Sequence, residues 1–159
     1  MTSVVRWVEV HRLAVAGREA GIARVVGGRV GEVWLARSRF ADVARLAGLT
    51  LTLGEDALAL CQLGWAKNAT GNPAAALEYY GQALPIQREV GDRAGEAVTR
   101  YNVAMIHRAQ GELGRAVAEL ERVVELDRQV GHPDLQSDTE MLHRVRQELA
   151  GSDPGRRSR

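Results

Sequence analysis

Four histidines and one cysteine have the widest chemical repertoire in this sequence, and their spacing limits what they can do with it. His11, His107, His132 and His143 are scattered, with no pair three or four residues apart beside an acid, so the helical metal-binding pattern is missing. They are expected at surfaces and helix ends. Cys61 has no histidine at helical contact distance in its own helix, and a thiol without a base or positive neighbour stays protonated and inert. As a single cysteine it allows no intramolecular disulfide, which suits a reducing cytoplasm. Gly27-Gly28-Arg29-Val30-Gly31 has the glycines of a phosphate loop but neither the Gly-Lys-Ser/Thr ending nor a preceding strand, so a turn is expected there. The sequence thus predicts no enzyme, no metal and no cofactor.

The bulk composition narrows the class further. At 159 residues, with 45% hydrophobic and 26% charged side chains, the chain has the make-up of one folded domain. Its 21 basic and 20 acidic residues give no net pull toward nucleic acid or a membrane surface. A mildly basic front and a mildly acidic body are too weak an asymmetry to mark a DNA-binding face. Only Lys67 among the basic residues is lysine, the usage of a GC-rich bacterial genome. Arg6, Glu9, His11 and Arg12 interrupt any signal-peptide core, and no run approaches the roughly 20 apolar residues of a membrane span. A cytoplasmic protein is expected.

What must position these residues is a repeat. Shifted by 40 positions, Ala57 falls on Ala97, Gly71 on Gly111, Ala76 on Ala116 and Val90-Gly91 on Val130-Gly131; shifted back, Gly31 and Ala36 fall on Gly71 and Ala76. A period of this length with helical apolar spacing inside each unit predicts an all-α solenoid of stacked helix pairs. Leu58, Leu60, Leu63 and Ala66 mark a first helix. Gly71-Asn72-Pro73 ends it, with Asn72 as N-cap and Pro73 opening the next, where Ala76, Leu77, Tyr80, Ala83, Leu84 and Ile86 lie three and four apart. The following unit repeats the plan through Val103, Ala104 and Ile106, then Gly111, then Ala116, Leu120, Val123 and Leu126. Small residues at Gly64 with Ala76, and at Ala104 with Ala116, suit close helix crossings.

The ends differ. Residues 134–150 carry Met141, Leu142, Val145 and Leu149 on an otherwise polar helix, the pattern of a solvating cap, and 151–159 are expected to form a disordered basic tail. Residues 31–49 fit a second-type helix. The helix before it should place a small residue at 24, where Arg24 stands, so residues 1–30 are read as an N-terminal helix and a degenerate first repeat. The helix over 4–17 would show an apolar face through Val4, Trp7 and Val8, which invites self-association. A piece of a longer protein would also look like this.

The run Leu60, Leu63-Gly64, Gly71, Ala76, Tyr80, Ala83 resembles the tetratricopeptide repeat. The next unit fits more loosely, with Arg100 in place of a large apolar residue, and Arg88 and Arg128 stand where the family has its closing proline. The extension through Gly91 to Ala97 resembles the 40-residue subtype of kinesin light chains and of bacterial signalling ATPases and regulators; the resemblance covers about residues 31–150. It implies a right-handed superhelical solenoid of antiparallel helix pairs with a C-terminal capping helix. It also implies a module that binds a peptide or helix of a partner protein in a concave groove. Carried over position by position, that groove would be lined by Leu58, Cys61, Gln62, Trp65, Asn68 and Ala69, and by Val98, Tyr101, Asn102, Met105, Arg108 and Ala109. Gln62, Trp65, Asn68, Tyr101, Asn102, Met105 and Arg108 are the expected partner-binding residues, with Asn102 suited to holding a peptide backbone. Cys61 and Trp65 stand where a chaperone-tail clamp would need Lys and Asn. The alternative the resemblance offers is a detached sensor or oligomerisation region of a transcription regulator or signalling ATPase.

Overall fold

The turns carry the period. Gly71, Gly91, Gly111 and Gly131 follow one another at intervals of 20 residues, each with a left-handed backbone, at φ of 82°, 72°, 76° and 64°. Glycine ends a helix this way without the strain a side chain would add. Two earlier turns adopt the same conformation without glycine, at Arg18 (φ 57°) and Ser38 (φ 56°), again 20 residues apart. Each is disfavoured by about 1–2 kcal/mol.

The computed structural model describes residues 2–152. They form eight α-helices and, among the described residues, no strand. These are α1 (Thr2–Ala16), α2 (Ala20–Leu35), α3 (Phe40–Leu51), α4 (Ala57–Ala69), α5 (Pro73–Val90), α6 (Arg93–Ala109), α7 (Leu113–Val130) and α8 (Leu135–Ser152). The all-α helical-repeat class expected from the period is the class observed. The chain divides after Ile86, inside α5, into two compact units.

In the first unit, Val26, Val30, Trp34 and Leu35 of α2 pack with Val43 and Leu46 of α3 and Ala66 of α4, and Val4 and Val8 of α1 lie against this cluster. The expected turn at 27–31 is absent: those residues lie within α2, and the glycines face inward. A Cβ on Gly27 would stand 2.9 Å from Thr50 Oγ1, and one on Gly28 would stand 2.6 Å from Leu58 Cδ2. Glycine here permits close helix packing rather than a bend. The helix expected over 31–49 is accordingly split, with the turn at Ser38 and α3 after it. Arg24 stands at the position where a small residue is expected, and the close approaches of this helix are made at Gly27, Gly28 and Gly31 instead. Helix α2 has 16 residues and α3 has 12. Asn72 caps α5 as anticipated, its Oδ1 accepting from the Ala75 amide at 3.1 Å, with Pro73 in the first turn.

In the second unit, Ala104, Ala116, Leu120, Val124, Leu142 and Val145 make the core of α6, α7 and α8. Asp92 caps α6 through the Gly95 amide at 2.9 Å. Helix α8 seals the unit with Leu142 and Val145 buried and its other positions largely polar, the cap foreseen for 134–150. The tail anticipated from 151 is helical through Ser152, and residues 153–159 lie outside the described part.

Candidate functional site

The anticipated contact residues fall on one stripe of each first-type helix. Leu58, Cys61, Trp65 and Asn68 are spaced three, four and three along α4, and Val98, Tyr101, Met105 and Arg108 repeat that spacing on α6. Such intervals keep side chains on one helical face. On α4, Leu58 is 45% exposed and Trp65 49%, and Asn68 is also exposed, while Cys61 is half-buried. Gln62 departs from the expectation. It is buried, and its Nε2 donates to the Gly28 carbonyl at 2.9 Å, across an approach so close that a Cβ at Gly31 would overlap its amide. Gln62 therefore ties α4 to α2 and is turned away from any partner.

On α6, Val98 is 52% exposed and Asn102 half-buried. Tyr101 and Met105 rest against the core of the second unit. Arg108 is committed to the capping helix: its Nε and Nη2 donate to the two carboxylate oxygens of Glu148 at 2.9 and 2.5 Å, and its Nη1 lies 3.6 Å from Met141 Sδ. These three residues anchor α8 and present only their edges outward. This leaves Leu58, Trp65 and Asn68 as accessible surface on α4, and Val98 with the half-buried Asn102 on α6.

A second feature of this unit carries no mark in the repeat pattern. A cleft of about 340 Å³ opens beside Val98 and Tyr101 of α6, and Asp127, His132, Asp134 and Asp138 form its polar wall. Asp127 is 1% exposed; no fixed N–H or O–H donor meets its Oδ2 among the described residues, and its carboxylate shares a hydrogen bond with the Asp138 carboxyl. His132 Nδ1 stands 3.9 Å from Asp127 Oδ1 and 3.8 Å from Asp134 Oδ2. Burial, reinforced by the neighbouring Asp127 and by Asp134, pushes the Asp138 carboxyl up to about 7, with His132 opposing. Asp138 sits in the first turn of α8, a position that ordinarily favours an ionised carboxylate, so the second acid and the burial outweigh the helix end. One sign of this site was present in the sequence. Leu120, Val123 or Val124, and Asp127 share the buried stripe of α7, and an acid on such a stripe needs a reason.

Alongside this geometry stands one comparison that bears on the repeat type. Residues 55–129 match the family model of the tetratricopeptide repeat. The match covers a little under half of the chain and takes in the two regular helix pairs, α4 with α5 and α6 with α7. It supports a tetratricopeptide-repeat protein, and repeats of this kind generally mediate protein–protein interaction. No curated protein matches the sequence. Helices α1 to α3 lie outside the matched stretch, as the non-glycine turns at Arg18 and Ser38 would lead one to expect. No helix among the described residues is long and apolar enough to cross a membrane.

Proposed function

We propose that this chain is a non-catalytic interaction module that takes a peptide or helix of a partner protein on the exposed face of α4 and on that of α6. The observation that carries the reading is the pair Leu58 and Trp65. They are large apolar side chains about half exposed, two turns apart on one helix, at positions that the resemblance to the tetratricopeptide repeat assigns to the groove. The tip of Leu58 rests against Gly28 of α2, whereas Trp65 belongs to none of the buried clusters, and an aromatic anchor in a partner interface accounts for it. On α6, Val98 repeats the exposure of Leu58, and the Asn102 amide offers both a donor and an acceptor to a peptide backbone.

The test is capture of partners from the host lysate by the wild-type chain and by Trp65→Ser and Asn102→Ala variants of equal helicity and melting temperature. Loss of one partner with either variant supports the reading; an unchanged set of partners with both sinks it. A second reading, self-association through α1, is favoured by Val5, Trp7, Val10 and Leu13, which are 70%, 42%, 39% and 55% exposed. Sedimentation equilibrium of wild type against Val5→Asp/Leu13→Asp tests it, and a monomeric wild type excludes it.

A further inference from the structure

Helices α1, α2 and α3 enclose a cleft of about 160 Å³ in the first unit. Val8, Trp34 and Leu46 line its inner part, and the exposed side chains Arg12, Arg45 and Leu49 line it nearer to solvent. The inner wall is apolar. Trp34 is 4% exposed, and its enclosed Nε1 meets no acceptor among the described residues. Packing and the Arg39 guanidinium, 4.8 Å from the ring centroid, therefore hold the indole in place of a hydrogen bond. His11 also borders the cleft, but its Nε2 is turned to Thr50 at 2.8 Å and burial favours its neutral form. The charges at the mouth do not cancel. Arg12 is matched by Glu9, with bonds of 2.9 and 2.6 Å. Asp42 is shared between two cations: Arg39 holds its Oδ2 at 2.7 and 2.6 Å, and Arg45 reaches its Oδ1 only at 3.3 Å. One carboxylate thus serves two guanidinium groups, and Arg45, with a side chain 71% exposed, is the less engaged.

We infer that this cleft binds a short-chain carboxylic acid as its anion, the carboxylate paired with Arg45 at the mouth and the alkyl body against Val8, Leu46, Leu49 and the ring of Trp34. The volume equals that of roughly five water molecules, which suits a branched acid the size of isovalerate and excludes a nucleotide. Both halves of such a ligand are needed. An inorganic anion would satisfy Arg45 and leave the apolar wall uncovered, while a hydrocarbon would cover the wall and leave the guanidinium as it is.

So small a ligand is held weakly, with a dissociation constant on the order of 1 mM. The site is independent of the interaction module: its lining residues lie on α1, α2 and α3, and none belongs to the exposed faces of α4 and α6.

The experiment is a proton–nitrogen NMR titration of the full chain with isovalerate at fixed pH and ionic strength, beside isovaleramide and acetate. Expected with isovalerate are saturable shifts of the Trp34 indole N–H and of the Arg45 and Leu49 amides, with the indole signals of Trp7 and Trp65 unmoved. Isovaleramide lacks the charge and acetate the alkyl body, so each should bind at least fivefold more weakly. Arg45→Gln should weaken isovalerate at least fivefold. Leu49→Glu, which sets a carboxylate of the protein's own beside Arg45, should abolish the response. Both positions are exposed, and unchanged helicity and melting of the two variants confirm that the fold is kept. An equal response to acetate would show an adventitious ion only and overturn the assignment. Equal binding of isovaleramide, shifts centred elsewhere, or full affinity in Arg45→Gln would overturn it too. Any of these results would leave capture of a partner through Trp65 untouched, so the cleft can fail while the interaction-module reading stands.

Discussion

Helices α4 and α6 occupy the same place in successive repeats and are held by different forces. Leu60 in α4 corresponds to Arg100 in α6, Gly64 to Ala104, Gln62 to Asn102 and Asn68 to Arg108. In the first unit the contacts are steric and neutral: Leu60 is buried, Gln62 bonds a backbone carbonyl, and Gly64 lets the ring of buried Tyr80 approach its backbone. In the second, Arg100 is 8% exposed and is held by Glu96 at 2.9 Å and Glu119 at 2.6 Å, while Arg88 reaches Glu96 at 3.0 Å. Burial alone would raise the Glu96 carboxyl, but the two guanidinium groups hold it below the usual carboxylate range. One backbone plan therefore tolerates an apolar residue or a buried ionic cluster at the same position, provided every charge has its counterpart.

The largest effect should come from breaking the cluster on one side only. Arg100→Ala leaves Glu96 buried with one exposed partner and deprives Glu119 of its own, a loss of about 3 kcal/mol or more. Replacing both poles, in Glu96→Gln/Arg100→Leu, gives α6 the character that Leu60 gives α4 and should recover most of that loss. Urea unfolding with a shared slope distinguishes the cases. A double variant no more stable than Arg100→Ala would show that the cluster is worth more than a leucine at that position.

A smaller effect is expected from making α4 resemble α6. A Cβ at Gly64 would stand 2.7 Å from Tyr80 Cε1, so Gly64→Ala should cost about 1–3 kcal/mol by overpacking. The second unit accommodates alanine at this position because Ala104 shares its core with Leu120, the counterpart of Tyr80, instead of a ring. Gly64→Ala/Tyr80→Leu should therefore be more stable than the sum of its single variants, and a thermal double-variant cycle measures the coupling. Strict additivity would disconnect the glycine from the ring.

The two units should also differ in the sign of their pH dependence. His11 is 1% exposed and its Nε2 lies 2.8 Å from Thr50 Oγ1. The Thr50 hydroxyl donates to the Leu46 carbonyl at 3.2 Å, which leaves it an acceptor and makes His11 the donor. Burial lowers the histidine pKa, so its contribution is full above the ordinary value of 6.5 and is lost as pH falls. Asp138 is raised from 3.8 to about 7, so its contribution is full in acid and is lost as pH climbs through that interval. Hydrogen exchange resolved by residue, from about pH 4.5 to 8, should show the first unit weakening in acid and the second weakening toward neutrality. His11→Gln and Asp138→Asn should each flatten one of the two trends, and slopes of one sign in both units would contradict the assignments.

These contrasts also mark where the sequence was legible. The period of 40 is visible from Gly71 onward because four turns use glycine at positive φ, and it locates α4 to α7 closely. It misleads at Gly31, an interior glycine that falls in phase with Gly71 by its number alone. The true turns there, Arg18 and Ser38, bear side chains that give no warning of a left-handed backbone. The stripe 58, 61, 65, 68 was readable from repeat position, as was its counterpart on α6. Which members stay open was not, because that depends on neighbours distant in sequence: Gly28 accepts Gln62, and Glu148 engages Arg108. Asp127 was hidden because Asp138, whose carboxyl shares a hydrogen bond with it, lies on a helix where acids look like solvated surface.

The smallest effect belongs to Arg108, where the comparison with Asn68 is sharpest. Asn68 is exposed on α4, while the arginine 40 residues later is bound to Glu148 with side chains 30% and 35% exposed. Salt screens such a pair and ordering two long side chains offsets the Coulombic gain, so Arg108→Asn should cost no more than about 1 kcal/mol, and less in 0.5 M NaCl. The substitution also frees Glu148 and uncovers part of Tyr101 and Met105, giving α6 the open face that α4 already has. If α8 covers the partner-binding face of α6, Arg108→Asn should bind a captured partner more tightly while melting slightly lower. If Arg108 is itself a contact, affinity falls instead, and measuring binding and melting on the same variant separates the two.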